Sequence, residues 1–265
     1  MKPVIKWTFW HRRWPSFWWS VGITAFVALE LVVYSSIKGQ AAQLNNALHN
    51  LPASARSLFG ASDDLFSPVG YLNSRLFYLL LPLLLSILAI GLGSSLLARE
   101  ESDGTLELLL SRPISRGRLL LAKALCSLMI VAIVGGVSTV AILVLVKLVG
   151  MSIGLYHVAF AALMAVLLAL LYGALALMIT AIGRAGRGLA IGLASLIGLG
   201  SYIVGSLEKD VSWLRWPARL LPYHYYNPLL ILNGAYTWKV AGVFAALIIG
   251  MCLIAWVAFR RRDLS

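Results

Sequence analysis

The chain has 265 residues, of which 60% are hydrophobic and only 12% are charged. Soluble domains are about 45–50% apolar and about 25% charged, so this composition excludes an ordinary water-soluble protein. The formal net charge is +12, which in so apolar a chain we interpret as loop charge that orients membrane spans and not as a surface for nucleic acid.

A helix that crosses a bilayer needs about 20 predominantly apolar residues. Six stretches qualify, so we predict an all-α integral membrane protein with six transmembrane helices in a single domain over residues 1–265. The predicted spans are residues 17–37, 76–98, 124–146, 158–182, 188–206 and 240–259. The second span contains Pro82, which lipid tolerates if neighbouring helices or waters satisfy the carbonyl that it frees.

The residues before the first span combine aromatic and aliphatic side chains with basic ones, including Lys6, Arg12 and Arg13. We predict that residues 3–16 form an N-terminal interfacial helix on the inner leaflet, with a frayed tail as the alternative. The apolar run that follows is 21 residues long and lacks an A-x-A cleavage site. We therefore interpret it as a retained span and not as a signal peptide.

Glu30 is the one ionisable residue well inside a predicted span. A charged side chain at bilayer depth is costly and is by default a candidate for function. Glu30 lies eight residues before Lys38, which corresponds to about 12 Å of helix from the outer end. That depth also permits a structural role, through water access or pairing with Arg75 or Lys147.

Two segments between spans are long enough to hold structure of their own. Residues 38–75 are polar, and we predict a small external helical cap there. Residues 207–239 are too apolar for a free loop, since aromatic and aliphatic side chains such as Trp213 and Tyr223 recur along them. We predict that they dip into the outer leaflet as short re-entrant or interfacial helices.

The connection between the second and third spans, residues 99–118, is the most informative segment. It reads R-E-E-S-D-G-T-L-E-L-L-L-S-R-P-I-S-R-G-R. Glu100, Glu101 and Asp103 follow the C-terminal end of a helix, where the macrodipole disfavours negative charge. These acidic residues therefore cost stability unless something else binds them.

Local helix breakers divide the rest of this connection. Gly104 ends the preceding helix, and Thr105 is able to cap a new one over the apolar residues 106–110. Pro113 stops that turn, and Ser115 is able to cap the next long helix. We predict a helical knob that is presented to the cytoplasm, with acidic residues at its base.

Cation counts set the predicted orientation. With the N-terminus inside, 14 of the 22 Lys and Arg residues fall in cytoplasmic segments. The eight that fall outside are Lys38, Arg56, Arg75, Lys147, Lys209, Arg215, Arg219 and Lys239. This excess places both termini in the cytoplasm, and the run Arg260-Arg261-Arg262 after the last span is the clearest single signal.

The sequence contains none of the common motifs for nucleotide or metal chemistry. It has no G-x-x-x-x-G-K-[ST] loop and no H-E-x-x-H pair, and its four His residues lack ligand spacing. Cys126 and Cys252 both lie in apolar stretches, which excludes a disulfide framework or a CxxC metal site. We therefore expect a non-catalytic chain with no cofactor or metal of its own.

Two motifs resemble those of a known family. The string E-S-D-G-T-L-E-L-L-L-S-R-P-I-S-R at residues 101–116 resembles the coupling-helix segment of ABC-2-type transporter permeases. The string L-P-Y-H-Y-Y-N-P at residues 221–228 is similar to the aromatic, proline-bounded stretch before that family's last span. Six spans, cytoplasmic termini and an N-terminal interfacial helix match the plan of the family.

The resemblance implies a transmembrane permease subunit of an ATP-driven exporter in the cell inner (plasma) membrane. It implies a permease dimer, with an identical or homologous second copy, carried on two ABC ATPase subunits that bind ATP and Mg. The implied ATPase-coupling interface consists of Glu100, Glu101, Gly104, Thr105, Leu106, Glu107, Leu109, Leu110, Arg112 and Pro113. In such an exporter Glu30 is a candidate residue of the pathway. An ordinary interfacial helix lying on lipid is the alternative for residues 100–113.

Two other functions are alternatives. A stand-alone secondary transporter usually shows inverted repeats, broken helices and polar midplane residues, for which only Glu30 and Pro82 are candidates here. A membrane lipid-modifying enzyme needs a cluster of polar catalytic groups near one leaflet, and the sequence shows no such cluster. A neighbouring reading frame that encodes an ATPase with a Walker A motif favours the exporter.

Overall fold

The computed structural model describes residues 2–40, 43, 65–102, 116–182, 186–236 and 238–261. All regular elements in these ranges are helical, and six helical segments are long and apolar enough to cross a membrane. These segments are Arg12–Gln40, Pro68–Leu96, Gly117–Leu148, Leu155–Ile182, Arg187–Leu207 and Trp238–Arg261. The all-α class and the six membrane-spanning helices are therefore confirmed.

The first helix, α1, runs without a break over Lys2–Ile37 and contains Pro15. The predicted interfacial helix over residues 3–16 and the predicted span from residue 17 both lie within this one helix, so no break separates them, and the point along α1 at which the membrane begins stays a prediction. A proline removes one backbone hydrogen bond but does not end a helix whose neighbouring turns remain bonded. A short 3₁₀ turn, Lys38–Gln40, follows α1.

The second span consists of three pieces. A short helix α2, Pro68–Tyr71, leads into a π-helical turn, Leu72–Phe77, and then into α3, Leu80–Ser102. Helical structure therefore begins before the expected residue 76. The reason is a local start signal, because the Ser67 hydroxyl accepts a hydrogen bond from the Gly70 backbone N–H at 3.0 Å and Pro68 occupies the first helical position.

Three long helices follow: α4, Arg116–Leu148, α5, Leu155–Ile182, and α6, Arg187–Leu207. The central helix of the bundle is α5, which packs against both α3 and the last helix. A Cβ built on Gly93 of α3 would lie 2.2 Å from the backbone oxygen of Gly173 in α5. Glycine at this crossing therefore lets the two backbones touch.

The segment between α6 and the last helix contains short helices. A 3₁₀ turn, Ser212–Leu214, precedes three α-helices of four or five residues. These are α7, Arg215–Ala218, α8, Pro222–Tyr225, and α9, Pro228–Leu232. The last helix, α10, covers Trp238–Arg261.

Contacts between helices define two ends of the bundle. Arg12 of α1 reaches Ser95 near the end of α3, and a Cβ on Gly117 of α4 would meet Trp256 of α10. We call this side the terminal end, because the beginning of α1 and the end of α10 lie there. The side that holds α2, the π-turn and α7 to α9 is the opposite end. The second span joins the two ends.

Candidate functional site

Most of the expected ATPase-coupling interface lies outside the described residues. This applies to Gly104, Thr105, Leu106, Glu107, Leu109, Leu110, Arg112 and Pro113. Glu100 and Glu101 belong to the last turn of α3, which continues to Ser102. They do not follow the end of the helix as expected, because the preceding residues, including Ala98 and Arg99, are strong helix formers.

Two basic side chains reach α3 just before that acidic turn. Arg12 donates from Nη2 to the Ser95 hydroxyl at 2.8 Å, and Lys123 donates from Nζ to the Leu96 carbonyl at 3.3 Å. The Lys123 side chain is buried. Along the α3 axis these contacts lie about 6–8 Å before Glu100. Both cations therefore lie near the C-terminal end of α3, where the helix macrodipole favours positive charge.

Glu30 lies half-buried on α1 and is bound by a neighbouring helix. The Tyr71 hydroxyl lies 3.0 Å from the Glu30 carboxylate Oε2 and 2.9 Å from the Glu30 backbone oxygen. Tyr71 is buried, and its ring packs against Tyr34 with the ring centroids 4.9 Å apart. Within the described part of the chain, Glu30 is thus paired with Tyr71 and not with Arg75 or Lys147.

The carbonyl that Pro82 frees is satisfied by a tyrosine from the opposite end of the bundle. A helix carbonyl normally accepts from the N–H four residues later, and Pro82 has none to offer to Tyr78. The Tyr223 hydroxyl donates to the Tyr78 backbone oxygen instead. The Tyr226 hydroxyl donates to the adjacent Phe77 oxygen at 2.7 Å. The aromatic stretch at 221–228 therefore caps the break in the second span.

The π-turn directly precedes the break at Pro82 and disturbs the backbone hydrogen bonding of the same region. Its last hydrogen bond runs from the Tyr78 N–H to the Asn73 oxygen at 2.7 Å, five residues back. A π-turn places one extra residue in the helix and leaves neighbouring backbone groups without regular partners.

Burial raises the pKa of Tyr223 and Tyr226 well above the ordinary tyrosine value, and neighbouring tyrosines raise that of Tyr223 further. Both hydroxyls therefore stay protonated and able to donate.

Four tyrosine rings form one cluster around this cap. Their contacting ring centroids are 5.4–5.8 Å apart in edge-to-face geometry. The members of this tyrosine cluster are Tyr78, Tyr202, Tyr223 and Tyr226. Hydrogen bonds tie the cluster to α6, because Ser206 accepts from the Tyr78 hydroxyl at 2.9 Å and Ser201 accepts from the Tyr223 N–H at 3.0 Å.

Beneath the tyrosine cluster lies a cavity of about 160 Å³ between α3, α5 and α6. Aliphatic side chains and three tyrosines form most of its wall, and Gly198 of α6 opens one side. The side chain of Tyr172 is 3% exposed, and its hydroxyl makes no hydrogen bond of normal geometry. Ser201 lies close to this hydroxyl, and its own hydroxyl accepts from the Tyr223 N–H.

The sequence alone indicates some of these residues but not their partners. Pro82 is recognisable as a residue whose freed carbonyl needs a donor, and the 221–228 stretch as aromatic, but nothing in the sequence pairs the two. Tyr71, Tyr172 and Tyr202 were missed. The one signal that points to such residues is a proline inside a span, which requires a donor from elsewhere. Among the residues that the structure describes, no group of three His, Cys, Asp or Glu is placed to hold a metal ion.

Comparison with known proteins gives one family. The model of the family described as "ABC-2 family transporter protein" matches residues 13–264 of this chain. No curated protein matches the sequence.

Proposed function

Because the chain belongs to the ABC-2 transporter family, we propose that it is the permease of an ATP-driven exporter and is driven by a separate ATPase. The chain is a transport permease and a multi-pass membrane protein. The observation that carries the proposal is the family match, which covers almost the whole chain and all six spans.

The proposed coupling element is the connection between α3 and α4. A short helix that sits in a groove depends on a few apolar anchors, for which Leu106, Leu109 and Leu110 are suited. Glu100, Glu101 and Glu107 supply charge for basic groups or helix N-termini of the ATPase. These roles come from the sequence pattern and the family resemblance.

The second span is suited to transmit motion from the proposed coupling segment to the other end of the bundle. It runs from α2 at the opposite end to Ser102 at the terminal end, where the proposed coupling segment begins. Arg12 and Lys123 tie its terminal end to α1 and α4, and Tyr223 and Tyr226 hold its other end at the Pro82 break. A displacement of the coupling segment would therefore reach the tyrosine cluster along α3, which is continuous from Ser102 back to Leu80.

The remaining partners follow from the same proposal. ATP and Mg bind to the partner ATPase, since the chain carries no phosphate-binding loop motif. A second permease, identical or homologous, completes the pathway, and lipid surrounds it. We infer from the excess of cations in the predicted cytoplasmic segments, including the N-terminal, 99–118 and C-terminal ones, that both termini lie in the cytoplasm. We infer from the family that the membrane is the plasma membrane.

The test is recovery of an ATPase with the full-length chain. The tagged chain is expressed in its native host and purified in mild detergent, and co-purified proteins are identified by mass spectrometry. We expect a protein with a Walker A motif, and we expect its recovery to fall at least tenfold in Glu107→Lys and Gly104→Leu at equal membrane content. The first variant reverses a charge at the interface, and the second strains the turn.

Two matched variants serve as controls. Asp210→Lys makes the same kind of charge reversal at an exposed site of the opposite end, and Gly39→Leu adds a side chain where nothing lies within 4 Å. Both should recover the ATPase as well as the wild type does. Equal recovery in all variants would exclude residues 100–113 as the coupling element, and transport without any ATPase would favour a stand-alone secondary transporter.

A further inference from the structure

We propose that the cavity between α3, α5 and α6 binds one apolar group of the size of an aromatic ring, carried by an amphiphile dissolved in the membrane. The proposal rests on the proposed transport function only for its consequence, namely that this group would belong to a transported substrate. Binding itself requires no ATPase and is tested without one.

The size of the cavity sets the size of the ligand group. Its volume is about 160 Å³. A cavity of about 150 Å³ lined by apolar side chains stays dry and accommodates benzene. Water is a poor occupant here for the same reason, because most of the wall offers it no hydrogen bonds.

The lining favours a ring over an alkyl chain. Leu83, Ile90 and Leu168 supply an aliphatic wall, whereas Tyr202 and Tyr223 meet edge-to-face with ring centroids 5.4 Å apart. An additional ring gains from edge-to-face contacts with these tyrosines, beyond the apolar surface that it buries. A flexible chain gains only the burial and loses rotamer freedom.

The Tyr172 hydroxyl favours aromatic ligands that carry a hydrogen-bond acceptor over hydrocarbon rings. Tyr172 lines the cavity, and its buried hydroxyl is left without a normal hydrogen bond. A ligand that offers an acceptor to this hydroxyl therefore gains a hydrogen bond that a hydrocarbon ring does not make. We therefore expect a ring with a carbonyl or ether oxygen to bind more tightly than a hydrocarbon ring of equal size.

The entrance to the cavity lies on the side of the bundle. Ile87 of α3 and Leu199 of α6 both line it and are about half exposed, at 50% and 46%. Both lie within segments apolar enough to span the membrane. The cavity is thus reached from the hydrocarbon of the bilayer, and Tyr223 closes it toward the opposite end.

Photolabelling of the purified full chain in lipid nanodiscs tests the proposal. The probe is 3-phenyl-3-(trifluoromethyl)diazirine, and adducts are mapped by mass spectrometry. We expect saturable adducts on the peptides that contain Tyr172, Tyr202 and Tyr223. Gly198→Leu should reduce them at least tenfold, because the new side chain enters the cavity beside the Tyr172 ring.

Gly200→Leu is the matched control, because Gly200 lies on the same helix with nothing within 4 Å of its Cβ position. It should label as the wild type does. Equal, non-saturable labelling in the wild type and both variants would overturn the proposal. If Gly198→Leu fails to reach the membrane, Gly198→Ala replaces it, since its Cβ meets the Tyr172 ring at an ordinary 3.8 Å.

A competition experiment in the wild type provides the second measurement. Acetophenone should displace the probe at a concentration at least threefold lower than ethylbenzene does, and Tyr172→Phe should remove this difference. Equal competition by both compounds in the wild type would refute the role of the hydroxyl. Saturable labelling of a chain that recovers no ATPase would support the cavity and contradict only the proposed ATP coupling.

Discussion

The hydroxyl of Tyr223 donates to the backbone oxygen of Tyr78, two residues that are 145 positions apart in the chain. Pro82 leaves this oxygen without its normal helical donor. The hydrocarbon of a bilayer offers this oxygen no donor, and here a tyrosine side chain supplies one. Together with the bond from the Tyr226 hydroxyl to the Phe77 oxygen, this contact joins the segment before the last helix to the second span.

Loss of the Tyr223 hydroxyl should therefore destabilise the chain. We expect Tyr223→Phe to lower the free energy of unfolding by about 1–2 kcal/mol, because a buried carbonyl loses its donor. Tyr225→Phe is the control, since the Tyr225 hydroxyl bonds the Arg219 oxygen at 3.0 Å at an exposed site. The midpoint of thermal unfolding in detergent is the measurement. Equal midpoints for the two variants would contradict the cap.

A double-mutant cycle tests whether Pro82 is the reason for the cap. Pro82→Ala restores an N–H that is able to bond the Tyr78 oxygen within the helix. The cost of Tyr223→Phe should then fall by at least half in the Pro82→Ala background, measured as the change in unfolding midpoint. Additive effects of the two substitutions would show that the hydroxyl stabilises the chain in another way.

Substitutions at Glu30 and Tyr71 separate the effect of the Glu30 charge from the effect of the hydrogen bond between the two residues. Glu30→Gln keeps an oxygen that accepts from the Tyr71 hydroxyl but removes the charge. We expect normal membrane yield and altered substrate-stimulated ATPase activity of the purified complex. Tyr71→Phe keeps the charge and should lower the thermal midpoint instead. Unchanged activity in Glu30→Gln would remove this residue from the pathway.

Orientation is tested with single cysteines in a background that carries Cys126→Ala and Cys252→Ala. An impermeant maleimide added to intact cells should label Ser62→Cys but not Ser265→Cys. The reason is the excess of Lys and Arg in the segments on the side of the termini. After membrane permeabilisation both positions should react. Labelling of Ser265→Cys in intact cells would reverse the topology.

Residue composition was enough to predict the helices. Backbone groups in lipid must bond within their own segment, so a long apolar run has to be a helix wherever it packs. The helix boundaries were predicted less closely. α1 continues without a break past residue 16, and helical structure begins at Pro68, before the predicted start of the second span at residue 76. Both differences arise from local backbone bonding, which hydropathy does not report.

The proposed coupling segment stays a prediction from sequence. Its acidic base, glycine, leucines and proline form a pattern within about 15 residues, and such a local pattern is visible without a structure. The partner of Glu30 was not visible in this way. The predicted partners, Arg75 and Lys147, are cations, whereas the partner in the structure is Tyr71, a neutral hydrogen-bond donor. A pattern of charges in the sequence does not indicate a neutral partner.

By itself, the sequence determined that this chain is a bundle of six apolar helices with cationic connections, because both properties depend only on composition and order along the chain. Tertiary structure alone decided which helices touch. Gly93 meets Gly173, Tyr71 binds Glu30, and Tyr223 caps the carbonyl next to Pro82. The physical reason is that lipid is as apolar as the helices, so hydropathy carries no information on partners. Close backbone approach and the need to satisfy each buried polar group select them.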